Sequence, residues 1–317
     1  MDDRRRPQPA RRAACCVALA LLPSLLAVPA LAQSPSGRWF PSARHFPPLL
    51  ADPTEPRYSA ALIATDLFAR TAAPAERPAF QLGEPGANLD ADLQGAVGIG
   101  TSVPVFELAR WPGGGATLGA LVGVFARFRV EQSSRDEVAN DWYVGVPLAL
   151  AHGPLGARLR LVHRSSHMGD ELQAQGAART EFSYEAVDLL AAYRPAGSVR
   201  VYGGGAVNLR TNSYILEERD GQLIRFSYHD RLSVQAGTEL SWKRWAAGAA
   251  ALLAGVDLQA SDRTDWQPQL SAILGLGGRL GGRVARLLAR CYDGPSMIGE
   301  FFRTDERYCG IEAALEL

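Results

Sequence analysis

From Tyr58 to the C-terminus, apolar and polar side chains alternate with a period of two residues, and nothing else in the chain constrains the fold as strongly. Successive residues of a strand point to opposite faces, so this period means sheet with two chemically distinct faces. Trp142, Val144, Val146, Leu148 and Leu150 share one face, against Asp141, Tyr143, Gly145, Pro147 and Ala149. Val201, Val207 and Leu209 likewise oppose Arg200, Tyr202, Asn208 and Arg210, and Leu232, Val234, Leu240 and Trp242 oppose Arg231, Gln235 and Glu239. Segments of about ten alternating residues divided by turn residues are the signature of a transmembrane β-barrel.

The connections carry a second alternation. Those at residues 112–115, 152–156, 194–197, 243–244 and 277–282 are short, and those at 131–140, 167–180, 211–227 and 294–306 are long. Short periplasmic turns and long extracellular loops give an all-β, antiparallel transmembrane barrel of about twelve strands with both termini in the periplasm. A soluble β-sandwich is the competing architecture. Pro147 and Pro268 fall in strands without a solvent edge, so each requires a bulge or a strand end. The final segment alternates through Cys309, Ile311, Ala313, Leu315 and Leu317. It resembles a barrel-assembly signal with Leu in place of the usual Phe, which implies the barrel-assembly machinery as a partner.

Residues 1–32 read as a secretory signal peptide: an arginine-rich start, an apolar stretch through Leu19, Leu21, Leu22 and Leu25, then Ala30-Leu31-Ala32. No later apolar run approaches the roughly 18 residues of a helical span. Residues 33–56, rich in proline, are expected as a periplasmic N-terminal segment, and 57–317 as the barrel in a Gram-negative outer membrane. Net charge is +0, so no basic footprint argues for nucleic acid as a partner.

Arg158, Arg160, Val162 and Arg164 form one face of a strand, and Leu159, Leu161, His163 and Ser165 the other. In a barrel the arginine face is the lumen, so His163 and Ser165 look toward lipid. A serine becomes a nucleophile when a base takes its proton and a third group orients that base. The next strand supplies acids on the same face. The intervening loop centres near residues 173–174, which opposes Glu185 to His163 and Ser183 to Ser165, at the roughly 4.5–5.5 Å of direct pairs. A register slip of four residues would bring Glu181 to His163 instead. The candidate set is therefore Ser165 as nucleophile, His163 as base, and Glu185 or Glu181 as orienter. The plainer alternative is a polar girdle at the membrane boundary.

His167, Asp170 and Glu171 lie in the loop above. Calcium, a hard cation, suits such oxygens, but no ligand spacing such as an EF-hand loop is present, so no cofactor is assigned. Arg127, Arg129, Arg158, Arg160, Arg164, Arg200, Arg210, Glu239, Arg286, Arg290, Glu312 and Glu316 fall on the lumen face. They form either a closed ionic network or the lining of a narrow anion-selective pore. Cys291 and Cys309 match across the last hairpin, which suits a cross-strand disulfide in an oxidising compartment; two free thiols facing lipid are the alternative. The glycine-rich run at 275–281 is broken by Leu280 as a dinucleotide fingerprint and is a turn.

The His-x-Ser stretch resembles that of outer-membrane phospholipases A and lipid A deacylases, barrels whose catalytic residues face lipid. That resemblance implies cleavage of an acyl ester of a membrane lipid. A broader one covers most of the chain: Phe46-Pro47-Pro48-Leu49-Leu50-Ala51-Asp52-Pro53, residues 163–171, Phe182-Ser183 with Glu185-Ala186, Tyr202-Gly203-Gly204-Gly205, Asp265-Trp266-Gln267-Pro268 and Tyr292-Asp293-Gly294-Pro295-Ser296. Together these resemble the bacterial outer-membrane barrel family catalogued as domain of unknown function 1207, which implies a barrel and brings no established activity. At Glu181 the chain departs from that pattern, which has Asn at this strand opening. A non-enzymatic barrel, whether a narrow channel or a structural protein, is the reading from the other functional class.

Overall fold

The computed structural model describes residues 37–67, 92–131, 136–174, 180–211, 214–219, 222–227, 230–245 and 250–316. The expected signal peptide at 1–32 lies outside the described residues. The strands are β1 (Arg38–Trp39), β2 (Tyr58–Thr65), β3 (Asp92–Trp111), β4 (Gly114–Arg129), β5 (Glu137–His152), β6 (Leu155–Met168), β7 (Thr180–Ala196), β8 (Val199–Thr211), β9 (Tyr214–Arg219), β10 (Gln222–Ser227), β11 (Leu232–Trp245), β12 (Ala250–Ser261), β13 (Gln269–Leu280), β14 (Arg283–Pro295) and β15 (Asp305–Glu316).

Every pairing between these strands is antiparallel, and β15 pairs with β2 from Tyr308↔Thr65 to Leu315↔Tyr58, which closes the sheet on itself. Seven strands, β2 to β8, and five, β11 to β15, make a twelve-stranded barrel of outer-membrane type. The β9–β10 hairpin extends from β7 within a long connection, and β1 covers the part of β3 that outruns β2, at Glu107 and Phe106. Closure matters physically, because only a barrel without edges satisfies all its backbone groups in lipid. Short turns gather at one end and long connections at the other, as the sequence alternation requires.

Both prolines find the places they need. Pro268 precedes β13. Pro147 pairs with Arg160 on one side, while the ladder to β4 lapses between Leu118↔Leu148 and Leu121↔Gly145 on the other.

The outward face is apolar and exposed, with Val144, Val146, Leu159, Leu161, Leu274 and Leu287 among its residues. The inward face holds a paired ionic network: Arg129 Nε to Asp92 Oδ2 at 3.1 Å, Arg160 Nε to Asp188 Oδ2 at 2.7 Å, Arg290 Nε to Glu312 Oε2 at 2.9 Å, and Arg127 to Glu306. Among the described residues these charges pair with one another, as the ionic-network reading expects.

The N-terminal segment completes it. The sequence reading expects residues 33–56 as a periplasmic segment whose role it does not give; from Phe46 the chain runs inside the barrel, where Leu49, Ala51, Asp52 and Glu55 are buried. A buried stretch of irregular backbone must find partners for its N–H and C=O groups. Pro47 and Pro48 bring no donors, and their carbonyls accept from Arg200 at 2.8 Å each. Arg290 donates to the Ala51 and Leu50 carbonyls at 2.8 and 3.0 Å. Glu239 Oε1 accepts from the Leu50 and Ala51 amides at 2.5 and 3.2 Å. Glu55 reaches across to Arg158 at 2.6 Å. This plug is held by the wall's own charges.

At the long-loop end, the connection between β14 and β15 folds inward as a cap. Gly299 N donates to Asp141, Glu300 N donates to Ser166 Oγ at 3.0 Å, and Arg164 donates to the Met297 carbonyl. Gly299 sits against the Phe182 ring, where an added Cβ would lie 2.4 Å from Cδ1, so only glycine allows this approach. A cavity of about 100 Å³ remains between plug and cap, and one of about 110 Å³ between the plug and the wall near Arg160, Tyr184 and Arg263. The Cys291–Cys309 disulfide is formed, bridging directly paired residues on the outward face of β14 and β15.

Candidate active site on the outward face

β6 carries the alternation that decides the site. Arg158 and Arg164 are buried toward the lumen, while Leu159 and Leu161 are exposed outward at 39% and 52%. His163 and Ser165 continue the outward face, above the apolar band and toward the long-loop end. The ladder to β7 runs His163↔Glu185 and Ser165↔Ser183, the register read from the loop centre. His163 Nδ1 lies 3.0 Å from Glu185 Oε1, with the two side chains 41% and 37% exposed. On the other side, Ser165 pairs with Trp142 and His163 with Val144 of β5. Trp142 is 48% exposed and donates through Nε1 to Asn140 Oδ1 at 2.6 Å.

A carboxylate on Nδ1 fixes the histidine ring and leaves Nε2 as the nitrogen able to accept a proton. Ser165, two residues along the same face, is the hydroxyl nearest in sequence to that nitrogen. Among the described residues, no hydrogen bond joins Ser165 to His163. Glu185, not Glu181, is thus the acid brought to His163. The Glu181 backbone lies in β7, opposite Tyr214, and its side chain is outside the described residues.

Arg210 requires a correction. Strict alternation along β8 puts it on the lumen face, but the ladder with β7 pairs Ala186 with Asn208 and Glu185 with Arg210, so Leu209 is an extra residue. This bulge shifts the face of everything beyond it. Asn208 remains inward, donating to Asp230 Oδ1 at 2.7 Å. Leu209 and Arg210 are both exposed, and Arg210 shares the outward face of its direct partner Glu185. No residue-type signal marks a bulge in advance, so the sequence could not have reported this neighbour.

Asp170 and Glu171 open a short helix, α1 (Asp170–Ala174), whose Leu172 is buried under the loops. Among the described residues, no group of three or more His, Cys, Asp or Glu side chains is placed to hold a metal ion.

A family profile described as a protein of unknown function (DUF1207) matches residues 29–317. No curated protein matches the chain. Similar solved structures include outer membrane phospholipase A from Escherichia coli, at 15% identity and a TM-score of 0.43, covering 83% of this chain and 94% of that one. The β domain of the Bordetella autotransporter BrkA follows at 13% identity and a TM-score of 0.42, covering 83% and 99%. The translocator domain of the autotransporter NalP from Neisseria meningitidis is similar at 13% identity and a TM-score of 0.37, covering 81% and 87%. Likeness at this level says nothing about chemistry at the site.

Proposed function

The chain belongs to the DUF1207 family of proteins of unknown function, and from that premise we propose that it is a Gram-negative outer-membrane barrel whose outward face hydrolyses an acyl ester of a membrane lipid. The substrate is a phospholipid or lipid A, Ser165 is the nucleophile, His163 its base and Glu185 the orienter. The observation that carries this reading is the 3.0 Å contact between His163 Nδ1 and Glu185 Oε1 on a largely apolar outward surface. Near the midplane a carboxylate on that face would be costly, and at the boundary it is tolerated.

His163 Nε2 takes the Ser165 proton as Oγ attacks the ester carbonyl. The proton then passes to the departing alcohol, leaving an acyl-serine that water hydrolyses by the same route. In the free protein the Ser165–His163 hydrogen bond is open, and such bonds tighten when substrate is bound. Residues 1–32 act as the export signal in this account, and the C-terminal strand addresses the barrel-assembly machinery.

The test is fatty-acid release from phospholipid by the purified protein in detergent. Wild type is expected to release it, and Ser165→Ala to abolish release. Equal release by the two proteins would overturn the reading. A second reading, a closed barrel without catalysis, draws on the filled lumen and on the open Ser165–His163 bond. It predicts no Ser165-dependent release from any lipid.

A further inference from the structure

We infer that Arg210 is a phosphate-binding residue of the outward face, so that the lipid met beside His163 and Glu185 carries a phosphate next to its acyl chains. For turnover this rests on the acyl-hydrolase reading of Ser165; as a binding site it does not. The first support is position. His163, Glu185 and Arg210 are successive direct partners across β6, β7 and β8, so they form one row over the outward surface. Neighbouring strands lie about 4.8 Å apart, which puts Arg210 about 10 Å from His163 along that row. A lipid with an ester at Ser165 spans such a distance to its headgroup.

The second support is that the arrangement has to be built. Without the extra residue at Leu209, Arg210 would enter the lumen, where arginines already crowd. Bulges next to sites re-aim a side chain, and here the re-aimed group is a guanidinium. The third support is that Arg210 holds none of the described residues. Among the described residues it makes no hydrogen bond or ion pair, although it faces Glu185 directly, because Glu185 is engaged by His163. The β8–β11 ladder runs only as far as Val207↔Leu232, so the flank of Arg210 away from Glu185 is not covered by strand pairing. A bare guanidinium on a lipid-facing surface is stable at the boundary only, and the ligand that matches its planar fork there is a phosphate.

The test uses the full barrel in uncharged detergent, reading quenching of Trp142 fluorescence by lipids with brominated acyl chains; Trp142→Phe defines the contribution of this residue. Phosphatidylglycerol and a diacylglycerol with the same chains are compared in wild type, Arg210→Ala and Arg210→Lys. Wild type is expected to bind the phosphate-bearing lipid about tenfold more tightly, the scale of one charge-assisted hydrogen-bonded contact. Arg210→Ala should erase that preference and Arg210→Lys keep part of it. No preference in wild type, or an undiminished one in Arg210→Ala, would overturn the inference. Equal competition by millimolar inorganic phosphate would overturn its lipid part, showing a site for the free anion. Ser165→Ala should retain the preference. A preference that depends on Arg210 without any Ser165-dependent hydrolysis would therefore sink the catalytic reading and leave this one standing.

Discussion

At the scale of single residues, the His163–Glu185 pair has a property that separates catalytic from structural roles. Both side chains are more than a third exposed, and an ion pair in such a setting adds only about 0–1 kcal/mol to stability. Under the proposed hydrolase its value lies in holding a ring, not in holding the fold. Glu185→Gln is therefore expected to shift the denaturation midpoint by no more than about 0.5 kcal/mol. The same change should cut fatty-acid release by about 10²-fold or more, since it removes the charge that stabilises the imidazolium. A variant that loses stability and activity together, or neither, would contradict this assignment. Glu185 is legible in the sequence as the partner of His163, because the loop centre near residues 173–174 fixes the β6–β7 register and the register fixes the pair. Arg210 is not legible in the same way, because one inserted residue at Leu209 reverses the face and leaves no mark in composition.

At the scale of elements, the plug shows how an irregular segment survives inside a barrel. Arg290 ties the Leu50 and Ala51 carbonyls to Glu312 and Ser271, and Arg57 joins it on Leu50 and Glu312. Arg290→Ala leaves Glu312 short of one of its two arginine partners, leaves the buried Ala51 carbonyl without its donor, and leaves the Leu50 carbonyl to Arg57 at 3.2 Å. The expected cost is about 3–5 kcal/mol, read as a lowered urea midpoint in detergent. Arg307→Ala, whose guanidinium is exposed at 60% beside the half-exposed Asp293, serves as the control that should change little. Equal effects would mean that the plug is not held by the wall. The sequence does hold a clue to this element. Arginines outnumber carboxylates among the lumen residues read from alternation, and a buried cationic face requires acids from somewhere. Asp52 and Glu55 are such acids, but their stretch has no period-two pattern, and a proline-rich segment without periodicity reads as outside the fold. Pro47 and Pro48 look like linker residues; their value here is that they bring acceptors without donors.

At the scale of the whole molecule, plug and cap both enter the lumen, and together they are expected to close it. Wild type should give no sustained conductance across planar bilayers, whereas deletion of residues 41–56, if the barrel still assembles, should give discrete openings. A wild-type channel would contradict the closed lumen. The long/short alternation of connections predicts the strand number and the closure, since both follow from local pattern. The inward folding of the cap does not follow from it, because that depends on Gly299 meeting Phe182, a contact between residues more than a hundred positions apart. The disulfide joins strands β14 and β15 across a sequence separation of 18. Replacing both cysteines by alanine should lower stability by about 3 kcal/mol, measured against wild type without reductant.

Under the proposed function Ser165 is an activated nucleophile on the membrane-facing surface. Treatment of the intact barrel with a long-chain sulfonyl fluoride tests it: serine Oγ bonds to sulfur, fluoride leaves, and the adduct is located by peptide mass spectrometry. A single stoichiometric adduct on Ser165 is expected, formed far more slowly in His163→Ala. An unlabelled Ser165, or labelling that proceeds equally in the His163 variant, would contradict it.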